Sequence, residues 1–91
     1  MTTAIVLFNV ERKKMQSVGE MLAGIEGITE VFSVGGRFDL VAIIRLPNND
    51  NLAALITEQI AKVEGITKTE TMVAFRAYSR YDIASLFDIG E

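Results

Sequence analysis

Apolar residues follow two different spacings along this chain, and together these spacings predict strands and helices in a regular order. Two runs contain no polar residue, and their β-branched and aromatic side chains predict strands that are apolar on both faces: Ala4–Phe8 and Leu40–Ile44. After each run, apolar residues recur every three to four positions, which predicts an amphipathic helix. The chain is therefore expected to alternate between strand and helix.

Each predicted helix has a single apolar stripe. The first helix is predicted over residues 12–23, and the second is expected to begin after Pro47 and to end at Gly65. Any of the four polar residues 48–51 can cap the second helix, because each side chain can accept a hydrogen bond from a first-turn amide. The two stripes consist of Met15, Val18, Leu22 and Ile25, and of Leu52, Leu55, Ile56, Ile60 and Val63.

The two halves of the chain resemble each other in sequence. The five residues 25–29 recur in closely similar form at residues 63–67, so each half reads as strand–helix–strand, with the second and fourth strands at 28–34 and 66–76. Two such halves predict an α+β fold of the ferredoxin-like βαββαβ type. Its four-stranded antiparallel sheet would have two helices on one face.

A hairpin with two adjacent glycines joins the halves. Its strands are predicted at residues 31–34 and 38–46 and its turn at residues 35–37, since glycine adopts positive φ without a steric clash. The same turn carries the densest polar chemistry of the chain, because Arg37 and Asp39 lie beside backbone amides. The hairpin is therefore the first candidate for a binding site.

The last residues, 79–91, are predicted to form a short helical extension to a domain that covers residues 1–78. The extension begins with the pattern of a capping box and continues with apolar residues at i, i+3 and i+4. Such a short helix is unstable alone, so it must pack on its own subunit or on a neighbouring one. The residues concerned are Ser79 and Asp82 in the capping box and Ile83, Leu86 and Phe87 in the stripe.

The hydrophobic fraction of the sequence predicts an assembly of several subunits. It reaches 49% in a chain of only 91 residues, which can build only a modest core. Two helices cover one face of the sheet, whereas the apolar runs place side chains on both faces. An uncovered apolar face favours an obligate homodimer or a larger assembly through sheet faces or edges.

Charge and composition exclude several functions. The net charge is −3 and there is no basic run, which argues against direct binding of nucleic acid. The apolar runs are too short to cross a membrane, there is no signal-peptide pattern, and the lack of cysteine is compatible with a cytoplasmic protein. Histidine and cysteine are both absent, so zinc sites and Ser-His-Asp or Cys-His catalysis are excluded, and no cofactor is expected.

Two motifs resemble one family. The segment Val34-Gly35-Gly36-Arg37-Phe38-Asp39-Leu40 resembles the V-x-G-x-[YF]-D-[LY] hairpin in the effector-binding domain of the leucine-responsive/asparagine (Lrp/AsnC) regulators. Residues 63–71 resemble the l-x-G-V-x-x-T-x-T entry to that domain's last strand. The resemblance covers roughly residues 3–76, and the domain is known as the regulation-of-amino-acid-metabolism (RAM) domain.

The resemblance implies how such a protein works. Repressors of the family carry an N-terminal helix-turn-helix, whereas this sequence begins with the first strand and so resembles a stand-alone RAM domain. Family members form dimers through their sheets, and the dimers assemble into tetramers, octamers or rings. Small effectors, usually amino acids, bind in clefts between dimers near the glycine hairpin. A helix-turn-helix regulator of the family is a candidate partner.

The resemblance also implies the ligand-binding residues. Gly36, Phe38 and Asp39 match the hairpin motif, and Gly35 and Arg37 occupy its variable positions. An amino acid needs donors for its carboxylate, which Arg37 and the glycine amides can provide, and an acceptor for its ammonium, which Asp39 can provide. The predicted set is Gly35, Gly36, Arg37, Phe38, Asp39, Thr69 and Thr71.

Each of these residues also has a purely structural interpretation. Gly35 and Gly36 can be turn residues, Asp39 can bond backbone amides of the turn, and Phe38 can be a packing residue. The threonines of the last strand, Thr69 and Thr71, are ordinary β-formers.

Three functions remain open at this stage. The first is a non-catalytic regulatory module that binds an effector. The second is an assembly partner of full-length regulators without a ligand of its own. The third is a small dimeric ferredoxin-like enzyme, which is disfavoured because Asp39 and Glu70 belong to separate motifs and no base partner is evident.

Overall fold

The computed structural model describes residues 1–78 and residue 80. Its elements follow the predicted βαββαβ order. The strands are β1 (Thr2–Val10), β2 (Ile28–Ser33), β3 (Leu40–Leu46) and β4 (Ile66–Ala74). The first helix consists of a 3-10 turn, Arg12–Lys14, and α1, Met15–Ala23. The second helix consists of α2 (Asn49–Ala54), a π-helical turn (Leu55–Gln59) and a 3-10 turn (Ile60–Lys62), which follow one another without a break.

The strands form one antiparallel sheet in the order β2-β3-β1-β4. β1 lies in the centre and pairs with β3 on one side and with β4 on the other. This order and the two intervening helices confirm the ferredoxin-like α+β fold.

The core lies between the helices and one face of the sheet. Alternate residues of β1 and β3 are buried there, as the pleat of a strand requires. Val18 and Leu22 of the first helix and Leu52, Leu55 and Ile60 of the second helix are buried against them. Both predicted helical stripes therefore face the core, and no polar or charged residue is buried in the described part of the chain.

The internal repeat is visible in the backbone. Gly27 and Gly65 occupy equivalent positions and have nearly the same positive φ, 102° and 104°. The carbonyl oxygen of Gly27 accepts a hydrogen bond from Arg45 N at 2.9 Å, and that of Gly65 accepts one from Glu11 N at 2.8 Å. Each glycine thus forms a hydrogen bond with the other half of the repeat, at the end of β3 in the case of Gly27 and directly after β1 in the case of Gly65.

The second helix begins at the predicted cap. Asn48 Oδ1 accepts a hydrogen bond from Asn51 N at 2.9 Å, so Asn48 is the N-cap among the four candidate residues 48–51. Thr57 Oγ1, in the π-helical turn, donates to Ala53 O at 2.8 Å.

The hairpin differs from the sequence prediction in its loop. β3 begins at Leu40 instead of residue 38, and only Gly36 of the two glycines has a positive φ, 128°. The reason is a contact outside the hairpin, since Asp39 N donates to Phe8 O at 2.8 Å. The loop therefore bends over the end of β1 before β3 begins. β4 also ends earlier than predicted, at Ala74.

The predicted C-terminal extension, residues 79–91, lies outside the described residues except for the exposed Arg80. Within the described part of the chain, none of the helices combines the length and the apolar character needed to span a membrane.

Candidate functional site

The sheet has a second apolar face that no helix covers in the described part of the chain. Its side chains lie next to one another because the residues are cross-strand partners: Ile5 pairs with Ile43 and with Met72, and Val41 pairs with Leu7 and with Phe32. Phe32 remains 48% exposed and Met72 45% exposed. We call this surface the uncovered face; it comprises Ile5, Leu7, Phe32, Val41, Ile43 and Met72.

A small cavity with charged walls lies between the hairpin and β4. Arg37, Phe38, Lys68 and Glu70 line it, and its volume is about 80 Å³. Lys68 Nζ lies 5.7 Å from the centroid of the Phe38 ring, within the range of a cation–π interaction. Because Glu70 is the cross-strand partner of Leu7, this hairpin cavity lies at the edge of the uncovered face.

Asn9 carries a buried hydrogen-bond acceptor in the same region. It is the cross-strand partner of Lys68, so both residues belong to the face of the sheet that the hairpin cavity borders. Its Oδ1 atom is buried and has no hydrogen-bond partner among the described residues. A buried acceptor that stays without a donor costs about 1–3 kcal/mol.

Asp39 has a structural contact. Its Oδ2 atom accepts a hydrogen bond from Val10 N at 2.9 Å. Its backbone N–H donates to Phe8 O, and its backbone carbonyl accepts from Val34 N. The carboxylate thus fastens the hairpin loop to the end of β1. This geometry favours the structural interpretation of Asp39, with the difference that the bonded amide belongs to β1 and not to the turn.

The glycines form the exposed tip of the hairpin. A Cβ atom added to Gly35 or Gly36 would meet nothing within 4 Å. Gly36 is required by its positive φ, whereas neither the backbone nor a neighbouring atom explains Gly35. The backbone at this tip is therefore accessible to another molecule.

The two threonines lie in a different place. Thr69 and Thr71 line a groove of about 560 Å³ between β4 and the second helix, whose other walls include Ile56, Ile60 and Ala61. Successive residues of a strand point to opposite faces, so these threonines and the Lys68–Glu70 pair lie on opposite faces of the sheet. We call this surface the threonine groove. The seven predicted residues are therefore not brought together within one chain.

Other grooves contain none of the predicted residues. One of about 680 Å³ lies at the far end of β3, between the turn at Gly27 and the second helix. Another of about 290 Å³ lies between α1 and β2 and is lined mainly by apolar or small residues, including Gly19, Ala23 and Val31.

Sequence reasoning missed Lys68 and Glu70 as site residues, and it missed Asn9 beside them. The alternation of β4 places Lys68 and Glu70 on one face, but only the strand order shows that this part of β4 meets the hairpin. Asn9 had a weak signal, since it is the first polar residue after a run of five apolar ones.

Comparison with known proteins is consistent with these features. The model of the Lrp/AsnC ligand binding domain matches residues 3–83. An uncharacterized HTH-type transcriptional regulator of Pyrococcus furiosus is 31% identical over 77 residues, which make up 81% of this chain and 51% of the relative. A relative from Pyrococcus horikoshii, named in the same way, is 30% identical over the same share of each chain. This chain thus spans about half the length of these curated relatives.

Solved structures share the fold. A protein of Thermus thermophilus is 42% identical, with a TM-score of 0.83, and the match covers 88% of this chain and 100% of the other. Escherichia coli AsnC has a TM-score of 0.81 at 16% identity, over 89% of this chain and 55% of the other. A Neisseria meningitidis transcriptional regulator, solved as a complex with L-Met, has a TM-score of 0.77 at 7% identity, over 87% and 53%. The last two show a common fold alone.

Proposed function

The chain belongs to the Lrp/AsnC ligand-binding domain family, and on that basis we propose that it is a non-catalytic regulatory module. It binds a small effector, an amino acid, between its subunits and modulates transcription through this binding. The named relatives are transcriptional regulators. Residues 1–78 form the binding and assembly domain, and residues 79–91 form an extension of it.

The observation that carries this proposal is the position of the hairpin cavity at the edge of the uncovered face. Its volume of about 80 Å³ is well below the roughly 300–1,000 Å³ of typical ligand pockets. A site of useful size therefore needs a second wall. Because the adjoining face is apolar and uncovered, a second subunit is the natural source of that wall.

The assembly is a homodimer through the uncovered faces, and dimers associate further into a tetramer, an octamer or a ring. Pairing two such faces buries side chains that are otherwise left half-exposed, and burial of apolar surface is the main favourable term in most protein–protein association. The hairpin tips at the edge of each face then lie close to neighbouring subunits.

The residues of the hairpin cavity suit an amino acid. Arg37, Lys68 and the backbone amides at Gly35 and Gly36 provide donors for the carboxylate, while the Glu70 carboxylate accepts from the ammonium. Phe38 offers an apolar surface to the side chain. Asp39 acts as a positioning residue, because its carboxylate holds the loop against Val10.

Thr69 and Thr71 join this site only across subunits. In one chain they lie on the opposite face of the sheet from Lys68 and Glu70, so the hairpin of one subunit and the threonines of another would form the two sides of a cleft. Their hydroxyl groups can donate or accept hydrogen bonds there. The L-Met complex of the Neisseria meningitidis regulator supports the choice of an amino acid, although that likeness is one of fold.

The test is a thermal-shift screen against the twenty amino acids, followed by calorimetric titration of the protein with each one that raises the melting temperature. A ligand at about 100 times its Kd stabilises each site by about 2.7 kcal/mol, which gives a clear shift in a domain of this size. Arg37→Ala and Glu70→Gln should each weaken binding at least tenfold, while Arg76→Ala, on an exposed residue after β4, should leave it unchanged.

If no amino acid shifts the melting temperature, the effector proposal fails. The chain would then be an assembly partner of full-length regulators, and mixing it with a helix-turn-helix relative should change the mass of that relative's oligomer. Equal losses in Arg37→Ala and Arg76→Ala would instead place the ligand outside the hairpin cavity.

A further inference from the structure

We infer that the groove at the far end of β3 is a second binding site, whose ligand is a short peptide with an apolar side chain and free terminal groups. We call it the far groove; it lies between the turn at Gly27 and the second helix, and Glu26, Arg45 and Glu58 are its charged residues. The hairpin lies at the opposite end of β3. The inference goes beyond the proposed effector site and depends on none of its residues.

The far groove has the size of a ligand pocket within a single subunit. Its volume is about 680 Å³, which falls inside the roughly 300–1,000 Å³ of sites that hold drug-sized ligands. A single amino acid is much smaller than the ligands that such sites enclose. The size therefore favours a ligand of a few residues.

The apolar part of the far groove is tightly packed. Leu55 is buried, and Ile25 and Leu46 pack against the core. Gly27 has a positive φ, and a Cβ atom added there would lie 2.6 Å from Leu46 Cδ2 and 3.0 Å from Leu55 Cδ1. The end of β3 and the second helix thus meet closely at this glycine, so the apolar surface is in place before a ligand arrives.

Arg45 is a cation that hydrogen bonds hold at this groove. Its backbone N–H donates to Gly27 O at 2.9 Å, and its Nη1 atom donates to Thr29 Oγ1 at 3.3 Å. The Thr29 hydroxyl itself donates to Ile43 O at 3.2 Å, which leaves its lone pairs for the guanidinium. The other N–H groups of Arg45 can bind a carboxylate in the bidentate geometry that arginine favours.

Carboxylates lie on two other walls of the far groove. Glu26 precedes Gly27 in the turn, and Glu58 belongs to the second helix. In the part of the chain that the structure describes, neither carboxylate forms an ion pair, and Arg45 forms none. The groove therefore presents unpaired charges of both signs beside an apolar surface. A short peptide with a free carboxylate, a free ammonium and an apolar side chain matches these three features.

The π-helical turn Leu55–Gln59 supports a functional role for the far groove. Three of its residues, Leu55, Glu58 and Gln59, line the groove. In the register that pairs residues 25–29 with 63–67, the turn corresponds to residues 17–21, which lie in the regular helix α1. The repeated fold thus does not require a π-helical turn here. Such turns are rare, and they occur frequently at functional sites.

Calorimetric titration of the full chain tests the inference with the tripeptide alanyl-leucyl-alanine. Its N-acetylated form, its C-terminal amide and free leucine are titrated in parallel. The free tripeptide should bind at least about tenfold more tightly than any of the other three, because each blocked form loses one charge-assisted contact and leucine fills less of the groove. No binding of the tripeptide at millimolar concentration, or equal binding of all four, would overturn the inference.

Substitution of Arg45 assigns the carboxylate contact. Arg45→Ala should weaken binding of the free tripeptide at least about tenfold and leave binding of the C-terminal amide unchanged, because the amide already lacks the group that Arg45 binds. Arg76→Ala should change neither affinity. Equal losses for the free and the amidated peptide in Arg45→Ala would contradict this contact.

Substitution of the carboxylates assigns the ammonium contact. The double variant Glu26→Gln, Glu58→Gln should weaken binding of the free tripeptide and leave binding of the N-acetylated form unchanged. The repeat provides a matched control, Glu64→Gln with Glu20→Gln, since these exposed residues occupy the equivalent positions in the other half. A similar loss in the control would show that the total charge of the chain, and not the far groove, governs binding.

A steric variant keeps the test independent of charge. Gln59→Trp fills the far groove from an exposed helical position, so the fold should persist and binding of the tripeptide should fall at least about tenfold. Met21→Trp, at the equivalent exposed position of α1, should leave binding unchanged. Loss of binding in both variants, or in neither, contradicts a site in the far groove.

The hairpin variants separate this inference from the effector proposal. Arg37→Ala and Glu70→Gln should leave binding of the tripeptide unchanged, so a failed amino-acid screen does not affect the far groove. Conversely, Arg45→Ala should leave any amino-acid binding at the hairpin unchanged. Binding of the tripeptide that is lost in Arg37→Ala and kept in Arg45→Ala would place the peptide in the hairpin cavity and overturn the inference.

Discussion

The two faces of the sheet have similarly apolar sequences and very different surroundings. On the covered face, Val6, Ala42 and Ile44 are fully buried beneath the helices. On the uncovered face, Ile5 and Ile43 pair with each other in the same two strands, and none of the helices within residues 1–78 lies over them. An apolar pattern on a strand indicates that its side chains will be buried. Whether the chain can bury them itself depends on how many helices it has to cover the sheet.

The difference also separates stability from assembly. A side chain of β1 or β3 that lies beneath the helices is buried in every copy of the chain, so its loss weakens folding. A side chain on the uncovered face becomes buried only between copies, so its loss weakens association. Two variants test this separation, and two more test how the candidate site differs from the core.

The largest effect is expected from Phe8→Ala, which removes a fully buried ring from the covered face. It should lower the free energy of unfolding by about 3–5 kcal/mol, since both transfer energy and cavity formation contribute. Phe32→Ala is the matched control on the uncovered face, where the ring is 48% exposed. Urea unfolding at several protein concentrations measures both, because a loss that arises from association depends on concentration and a loss within one subunit does not. A loss in Phe32→Ala that equals the loss in Phe8→Ala at every concentration would mean that the two faces are buried alike in the folded chain.

Leu7→Lys should break the assembly. It places an ammonium on the uncovered face, where burial between two subunits would cost several kcal/mol without a partner. Light scattering should show the mass of a single chain, while circular dichroism keeps the signature of the fold. Ser17→Lys, on the exposed side of the first helix, should leave the mass unchanged. A full-size assembly of Leu7→Lys would disprove an interface on this face.

Asp39→Ala should destabilise the chain by about 1–3 kcal/mol, because it leaves the amide of Val10 without its carboxylate acceptor. Arg37→Ala, two residues away and exposed, should change stability by less than about 0.5 kcal/mol. Chemical denaturation of both variants, together with amino-acid titration, distinguishes a positioning residue from a ligand contact. Wild-type stability with lost binding in Asp39→Ala would assign the carboxylate to the ligand.

The smallest effect on folding is expected from Thr71→Val, which keeps the shape of the side chain and removes its hydroxyl. Thr71 is exposed, so stability should change by less than about 0.5 kcal/mol. If the hydroxyl contacts an effector in the assembled protein, affinity should fall about threefold to tenfold. A stability loss of more than about 1 kcal/mol would show that this face of β4 is already buried in the folded subunit.

The sequence predicted most of the fold because the relevant signals are local. The stripe of each helix, the cap at Asn48 and the repeat around Gly27 and Gly65 depend on residues near one another in the chain. The start of β3 was predicted two residues too early, since a contact between Asp39 and the distant Phe8 decides where the loop ends.

The candidate site was predicted less completely, because it depends on strand order. The hairpin motif identified Arg37 and Phe38, but Lys68 and Glu70 join them only because β4 pairs with β1 beside the loop. Thr69 and Thr71, which belong to the second family motif, lie on the opposite face of the sheet. Adjacent residues of one strand were thus divided between two surfaces by the pleat.

The sequence by itself determined the order of elements, the apolar character of both sheet faces and the family to which the chain belongs. These properties reside in side-chain spacing and in short motifs. The tertiary structure alone decided which face the helices cover, that β4 stays exposed in the part of the chain that the structure describes, and which polar groups meet at the hairpin. Those outcomes depend on contacts between residues far apart in the chain. The spacing of neighbouring residues does not indicate the energies of such contacts.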